Sequence, residues 1–306
     1  MSVTLFDRSR LPDGVEGAIG VFDSGVGGLD VAAAISEVLP YERLIYWGDN
    51  ARVPYGTKSA QVVRAYTREA GYHLASLGVK ALVIACNTAS AVVDFQELSE
   101  ELGIPVLGMI DAGVRACMKS ASQLETEVHI VILATPGTIR SRAYERALMS
   151  ALPNARISSI ACPLFVPLVE MGWGDHHLSS QLVSAQLMES GLFETTAAHP
   201  SQTLIVLLGC THYPLMARSI QLGISAHIDG QLICVDGARS VAQQLATILT
   251  ARNQLSSNQV EKRIPQHQAI FTDDLNGSAS TQLALAFWQN REGRGELTLL
   301  TVNDLR

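Results

Sequence analysis

The chain has 306 residues, which is enough for one large or two ordinary α/β domains with a substantial core. Its net charge of −7, with few lysines and no basic stripe, disfavours nucleic-acid binding. Five cysteines without Cys-x-x-Cys spacing exclude a disulfide framework, and no apolar run approaches the roughly 20 residues that cross a bilayer. With no stretch resembling a signal peptide, we expect a cytoplasmic protein with reduced thiols.

Short apolar runs alternate with helical patterns along the chain. The predicted strands are residues 18–22, 43–47, 80–85, 104–107, 128–133, 156–161, 203–208, 231–235 and 268–272. Most are continuous β-branched or Leu-rich runs, which are typical of strands covered on both faces. The predicted helices are residues 28–39, 59–77, 88–102, 138–151, 178–190, 237–251 and 280–290. This alternation predicts an α/β fold with doubly wound parallel sheet.

A weak internal repeat divides the chain into two similar halves. Residues 18–24 (AIGVFDS) and 129–135 (HIVILAT) are apolar runs that end in a short polar pair. In each half an apolar run that ends in cysteine follows, VIACNT in one and VLLGCT in the other. We therefore predict two similar doubly wound parallel-sheet domains with the active site in the cleft between them, because open α/β sheets bind ligands at the carboxyl ends of their strands. The predicted boundaries are 1–109 plus 222–306 for the first domain, with residues 1–17 as an N-terminal extension, and 110–221 for the second.

Cys86 and Cys210 carry the strongest chemical signal. Each follows an apolar strand and precedes a polar residue and helix-forming sequence. A helix N-terminus favours the thiolate of a cysteine placed there. A buried cysteine is usually a small packing residue, but two thiols at equivalent positions indicate an acid or base on each face of a small substrate.

Polar residues near the other strand ends complete a candidate site. The glycine turn from Asp23 to Gly28 lacks the dinucleotide-binding spacing and a P-loop lysine, yet it admits a small anion such as a carboxylate. A helix N-cap is the alternative role for Asp23. Thr135 and Thr138 offer hydroxyls at the equivalent point, with helix caps as their alternative. The loop 48–56 lines the cleft or forms an ordinary turn.

His212 lies two residues after Cys210 and can orient or exchange protons with a reacting group. Glu170 supports His212 if it is buried near the cleft, and it is a solvated loop carboxylate otherwise. Zinc requires three or four ligands, and no second local Cys/His pair is present, so we expect no metal. We interpret the remaining cysteines as packing residues: Cys117, Cys162 and Cys234.

Six motifs occur in order along the chain: VFDSGVGGLDV, GDNARVPYG, ACNTAS, ATPGTI, ACPLFVPLVE and LGCTHYPL. Together they resemble the glutamate racemase family, within the cofactor-independent aspartate/glutamate racemases, over about residues 18–240. The resemblance implies interconversion of L- and D-glutamate without a cofactor, as a source of D-glutamate for peptidoglycan. It also implies a homodimer, and activation by a muramoyl-peptide precursor is known among members with N-terminal extensions.

The resemblance also assigns residues. Cys86 would exchange the α-proton of the D-enantiomer with help from Asp23, and Cys210 that of the L-enantiomer with help from His212 and Glu170. The implied substrate-binding residues are Asp23, Ser24, Pro54, Tyr55, Gly56, Asn87, Thr88, Thr135, Thr138, Thr211 and His212.

Two other classes of function stay open on the sequence. One is a related enzyme, either a racemase of aspartate or another small acid, or an enzyme that uses one thiol. The other is a non-catalytic amino-acid-binding protein with the same cleft, although pure binding requires no thiol. We expect a small-molecule substrate and neither a nucleic-acid nor a membrane partner.

Overall fold

The computed structural model describes residues 17–124, 127–197, 203–256, 265–275, 278–289 and 295–302. The predicted N-terminal extension, residues 1–17, lies outside this part of the chain except for Gly17. No helix within these ranges combines the length and apolar character that crossing a membrane requires.

Two separate parallel sheets organise the described residues. The strands are β1 (Ile19–Asp23), β2 (Leu44–Gly48), β3 (Ala81–Ile84), β4 (Val106–Gly108), β5 (Val128–Ala134), β6 (Arg156–Ala161), β7 (Thr203–Gly209), β8 (Leu232–Val235), β9 (His267–Phe271) and β10 (Leu297–Thr301). The first sheet has the order β10-β9-β2-β1-β3-β4 and the second β6-β5-β7-β8, and we call each sheet with its helices the first and second domain. The order β2-β1-β3-β4 recurs as β6-β5-β7-β8, so the weak sequence repeat corresponds to a repeated topology.

Helices connect the strands and cover the sheet faces. They are α1 (Leu29–Val38), α2 (Ala60–Ser76), α3 (Asn87–Ser90), α4 (Phe95–Leu102), α5 (Met109–Ala121), α6 (Pro136–Ser141), α7 (Ala143–Ala151), α8 (Phe165–Glu170), α9 (Ser179–Glu189), α10 (Leu192–Ala197), α11 (Ala217–Ser225), α12 (Ala238–Ala251) and α13 (Ser278–Gln289). All residues of β1, β2, β3 and β7 are buried, which is the physical reason why these strands read as continuous apolar runs. The prediction of an α/β fold with two parallel sheets is confirmed.

Two predicted helices are each divided in the structure. The segment 88–102 contains α3 and α4, because the Asp94 side chain accepts the backbone N–H groups of Gln96 and Glu97 and so begins a new helix. The segment 138–151 contains α6 and α7, which meet at Arg142 with a left-handed φ of 55°.

The predicted return of the chain to the first domain at residue 222 is wrong. Strand β8 pairs with β7 in parallel, with Leu232 opposite Leu204, and therefore belongs to the second sheet. Helix α11, which spans the predicted boundary, packs against α9 of the second domain. The chain rejoins the first sheet only at β9, which pairs with β2. An apolar run identifies a strand but not the sheet it joins, and this is why the boundary was misplaced.

The topology places the polar strand ends together. β1 and β3 are neighbours in the first sheet, as β5 and β7 are in the second. The first pair leads to Ser24 and Cys86, and the second to Thr135 and Cys210, and all four of these residues line one cavity.

Candidate active site

A cavity of about 360 Å³ lies between the two domains. Most residues predicted for the site line it, namely Ser24, Pro54, Tyr55, Gly56, Cys86, Asn87, Thr88, Thr135, Glu170, Cys210, Thr211 and His212. Two predicted residues, Asp23 and Thr138, do not line it but are buried behind residues that do. The volume suits a small substrate that both domains contact.

Cys86 caps the first turn of α3 and is only 4% exposed. Its Sγ lies 3.6 Å from the Ser24 hydroxyl, which comes from the end of β1. Burial raises the pKa of the thiol to about 12 and the charge of Asp23 acts in the same direction, whereas the Ala89 backbone N–H and Ser24 lower the pKa less. The sequence predicted a thiolate favoured by the helix N-terminus. In the structure α3 has only four residues, and burial outweighs its effect.

Cys210 lies against a charged pair on the opposite side of the cavity. Its Sγ is 4.0 Å from Nδ1 of His212, and Nε2 of His212 is 3.3 Å from a Glu170 carboxylate oxygen. The second contact has the distance of an ion pair but not the geometry of a hydrogen bond. Burial would lower the pKa of His212, but Cys210, Glu170 and Asp23 together more than offset it and raise the pKa to about 10. An imidazolium therefore stands beside Cys210 near neutral pH, where it attracts a negative sulfur.

Asp23 is fully buried at the end of β1. Its carboxylate accepts the Gly25 backbone N–H at 3.0 Å and the Thr211 hydroxyl at 3.4 Å. Burial raises the pKa of Asp23, against lowering contributions from His212 and from hydrogen bonds to Gly25 and other donors. Asp23 thus joins the two domains through Thr211.

Three threonine hydroxyls cluster where the domains meet. Thr88 Oγ1 of the first domain lies 2.8 Å from Thr135 Oγ1 and 3.3 Å from Thr138 Oγ1 of the second domain. Thr135 also caps α6 by accepting the Thr138 backbone N–H, so the cap role and the site role coexist in one residue. Thr138 stands behind the other two and holds their hydroxyls in place.

Asn87 is positioned from the second domain. The buried Tyr144 hydroxyl lies 2.6 Å from Asn87 Oδ1 and 3.0 Å from the Met109 carbonyl oxygen. With its oxygen directed toward Tyr144, Asn87 can offer its amide NH₂ to a ligand.

The loop after β2 forms one wall of the cavity. Asp49, which is fully buried, accepts hydrogen bonds from the Tyr55 hydroxyl at 2.5 Å, from Arg52 Nε at 2.9 Å and from the Thr272 hydroxyl at 3.0 Å. Val53 and Pro54 are joined by a cis peptide bond. The ordinary-turn interpretation therefore gives way to a loop held by one buried carboxylate.

Sequence reasoning missed part of the cavity wall. The residues concerned are Thr57, Pro136, Cys162, Pro163, Val166 and Pro167. Cys162 was interpreted as a packing residue; it is fully buried, and it also lines the cavity. Its place just after β6, at the carboxyl end of another parallel strand, was the signal that could have revealed it. Among the described residues, no group of three His, Cys, Asp or Glu side chains is placed to hold a metal ion.

Comparison with known proteins agrees with this site. The sequence model of a family described as Asp/Glu/Hydantoin racemase matches residues 27–245. Glutamate racemase of Syntrophus aciditrophicus is 40% identical over 260 residues, or 84% of this chain and 87% of that protein.

Solved structures agree as well. The crystal structure of Francisella tularensis glutamate racemase in complex with D-glutamate has a TM-score of 0.75 and 30% identity, covering 95% of this chain and 99% of that one. A Bacillus anthracis glutamate racemase isoform, RacE1, has a TM-score of 0.75 and 33% identity, covering 94% and 98%. The chain therefore belongs to the Asp/Glu/hydantoin racemase family and is an amino-acid racemase.

Proposed function

We propose that this protein interconverts L- and D-glutamate with two cysteine thiols and no cofactor, and that it supplies D-glutamate for peptidoglycan. The observation that carries the proposal is the placement of Cys86 and Cys210, which come from different domains and line the same cavity. The D-glutamate bound in the Francisella tularensis relative supports glutamate as the substrate.

Racemisation requires that one face of Cα loses a proton and the other face gains one. In the direction from L to D, the Cys210 thiolate takes the α-proton, the C–H electron pair stays on the substrate as a carbanion, and the Cys86 thiol returns a proton to the opposite face. The surroundings of the two thiols suit this direction, since burial raises the pKa of Cys86 to about 12 and the His212 ring, whose pKa is raised to about 10, lies 4.0 Å from the Cys210 sulfur. The reverse direction starts from the opposite pair of protonation states.

The carbanion must be stabilised, because an amino-acid α-proton is far less acidic than a thiol. Donors around the cavity include the hydroxyls of Ser24 and Thr88 and the amide of Asn87, and we assign them to the substrate carboxylates. Fixed donors in a site from which water is excluded act more strongly than they would in bulk water. Asp23, Glu170 and His212 influence the charge of the two thiols and do not themselves exchange the α-proton.

The first experiment uses the purified protein and L-glutamate in deuterated water without added cofactor. Circular dichroism follows the loss of optical activity, and proton NMR follows the loss of the α-proton signal. We expect both signals to fall, because the thiol that protonates Cα exchanges its own proton for deuterium from the solvent. A folded protein that leaves both signals unchanged, with and without a muramoyl-peptide precursor, would contradict glutamate racemisation and would favour the non-catalytic binding role.

Cysteine variants test the two-thiol assignment. We expect Cys86→Ser and Cys210→Ser each to reduce racemisation to near background, because each face requires its own acid or base. Either variant can still eliminate a leaving group from one enantiomer of a β-substituted glutamate, since that reaction requires one base. Cys234→Ser is a matched control, because Cys234 does not line the cavity. Full activity in either active-site variant would favour a one-thiol enzyme.

The alternative substrates are tested in the same assay. Aspartate and other small amino acids replace glutamate at equal concentration. If one of them is racemised faster, it is the substrate instead of glutamate.

We further propose a cytoplasmic homodimer. Size-exclusion chromatography with light scattering tests whether the protein is a dimer. Addition of a muramoyl-peptide precursor tests whether an activator raises the rate.

A further inference from the structure

We infer that a small groove beside the active site is a binding site for a free oxyanion of phosphate size, which would join the two domains. The groove has a volume of about 150 Å³ and is lined from both sides of the cleft. Lys58 and Ser59 of the first domain lie on one side, and Arg140 and Ser141 of the second domain on the other.

Charge is the first reason for this assignment. No acidic residue lines the groove, although the chain carries a net charge of −7. Within the part of the chain that the structure describes, the side chains of Lys58 and Arg140 form neither an ion pair nor a hydrogen bond with another residue. Arg64 adds positive charge nearby, since its guanidinium donates to the carbonyl of Val92, which lines the groove. An anion in the groove would have Lys58 on one side and Arg140 on the other, and it would attract both.

The groove also provides hydrogen-bond donors. It includes the first turn of the 17-residue helix α2, with Ser59 as its N-cap and Ala60 and Val63 following. A helix of this length has a positive N-terminal end that favours an anion. Lys58 of the first domain and Arg140 of the second domain can donate as well, so the donors approach the groove from both domains.

Size selects the ligand class. A water molecule occupies about 30 Å³ in the liquid, so the groove holds the equivalent of about five waters. That space accommodates a phosphate or sulfate ion. The groove is separate from the substrate cavity, but Thr88 lines both. An ion held there would contact the threonine that bridges the domains.

Isothermal titration with inorganic phosphate, at constant ionic strength and without glutamate, tests this inference. We expect saturable binding with one ion per chain. The variant Lys58→Gln/Arg140→Gln is expected to bind about tenfold or more weakly, because it loses two charged donors. The matched control Arg115→Gln/Lys119→Gln has the same net charge, changes exposed residues that line neither cavity, and is expected to bind like the wild type.

A charge-conserving variant and thermal unfolding complete the test. Lys58→Arg is expected to keep most of the affinity, and phosphate is expected to raise the melting temperature of the wild type but not of the Lys58/Arg140 double variant. The inference is overturned if wild-type protein shows no saturable binding, or if the two double variants weaken binding equally. Since no substrate is present, failure here leaves the proposed racemisation untouched.

Discussion

Cys86 and Cys210 occupy equivalent places in the two halves of the chain but differ in their electrostatic surroundings. Cys86 is near the buried Asp23, whose charge opposes a thiolate and adds to the effect of burial. Cys210 is beside His212, whose own pKa is raised to about 10 through Cys210, Glu170 and Asp23. The repeated topology therefore brings two similar thiols together, while the residues around them make the two sides of the site electrostatically different.

His212 should make the free energy of unfolding depend on pH above about 6.5. Its pKa is about 10 in the folded chain and about 6.5 when unfolded, so the folded state keeps a proton that the unfolded state releases in between. The free energy of unfolding must then fall as pH rises from about 6.5 toward 10. We expect His212→Gln to flatten this slope between pH 7 and 9, as urea unfolding at several pH values would show.

Comparison of the variant with the wild type isolates the contribution of His212, since the other groups with shifted pKa values are present in both proteins. The lowered pKa values of His73 and His267 act below about pH 6.5, and the raised pKa of Cys86 acts above about pH 9. Glu170→Gln removes one of the contributions to His212 and is expected to reduce the slope in part. If the variant keeps the slope of the wild type, the His212 imidazole of the wild type is neutral in the folded protein at these pH values.

The loop 49–57 depends on the buried Asp49, which joins the end of β2 to that of β9. We expect Asp49→Asn to lower the free energy of unfolding by about 1–3 kcal/mol, because Arg52 and a buried hydroxyl lose a charged acceptor. The wall that holds Pro54 and Gly56 should shift, with a loss in kcat/KM. Urea unfolding and steady-state racemisation kinetics measure the two effects.

Two further variants distinguish the effect of losing the Asp49 carboxylate from the effect of any change in or near the loop. Tyr55→Phe removes one of the hydrogen bonds to Asp49 and is expected to have a smaller effect. Asp273→Asn changes an exposed carboxylate near the same loop and is expected to behave like the wild type. Equal losses in the Asp49 and Asp273 variants would contradict the role assigned to Asp49.

Sequence patterns identified the elements that surround the site better than those at the edges. Buried strands such as β1, β3 and β7 have uniform apolar runs, and all were predicted. β10 was missed because it is a partly exposed edge strand with a short pattern near the chain terminus. Helix α5 was missed although its buried residues Ile110, Val114 and Cys117 recur at helical spacing, because it follows β4 directly and its N-cap residue, Gly108, has no capping side chain.

In the candidate site, the sequence motifs likewise predicted which side chains are present but not how tertiary contacts change their properties. The motifs predicted many of the side chains that line the cavity, and Ser24, Cys86 and Cys210 were the clearest because each follows a recognisable strand. They could not indicate that burial dominates at Cys86, nor that Tyr144 orients Asn87 from 57 positions away. Both depend on which atoms surround a side chain, and no local pattern encodes that.

The two domains that enclose the cavity approach within atomic contact. A Cβ on Gly137 of α6 would lie 2.8 Å from the Gly56 carbonyl oxygen and 3.1 Å from Thr88 Cγ2, both in the first domain. Gly137 lies within a helix and does not have a positive φ, so its backbone accepts alanine readily. The glycine is therefore required between the domains rather than within one of them.

Gly137→Ala should disturb the contact between the domains without disturbing the helix. The helix is expected to form as before, with an unchanged far-ultraviolet circular dichroism spectrum, while the domains are held apart by overpacking. Overpacking typically costs about 1–3 kcal/mol, so we expect the dissociation constant for glutamate, measured by isothermal titration, to rise about tenfold. Gly71→Ala is the matched control, because its Cβ would meet only the ends of leucine side chains within the first domain, the nearest being Leu102 at 3.2 Å. If both variants bind glutamate like the wild type, the observed approach of the domains is not required for substrate binding. A loss confined to Gly137→Ala would establish that closing the gap between the domains is part of binding.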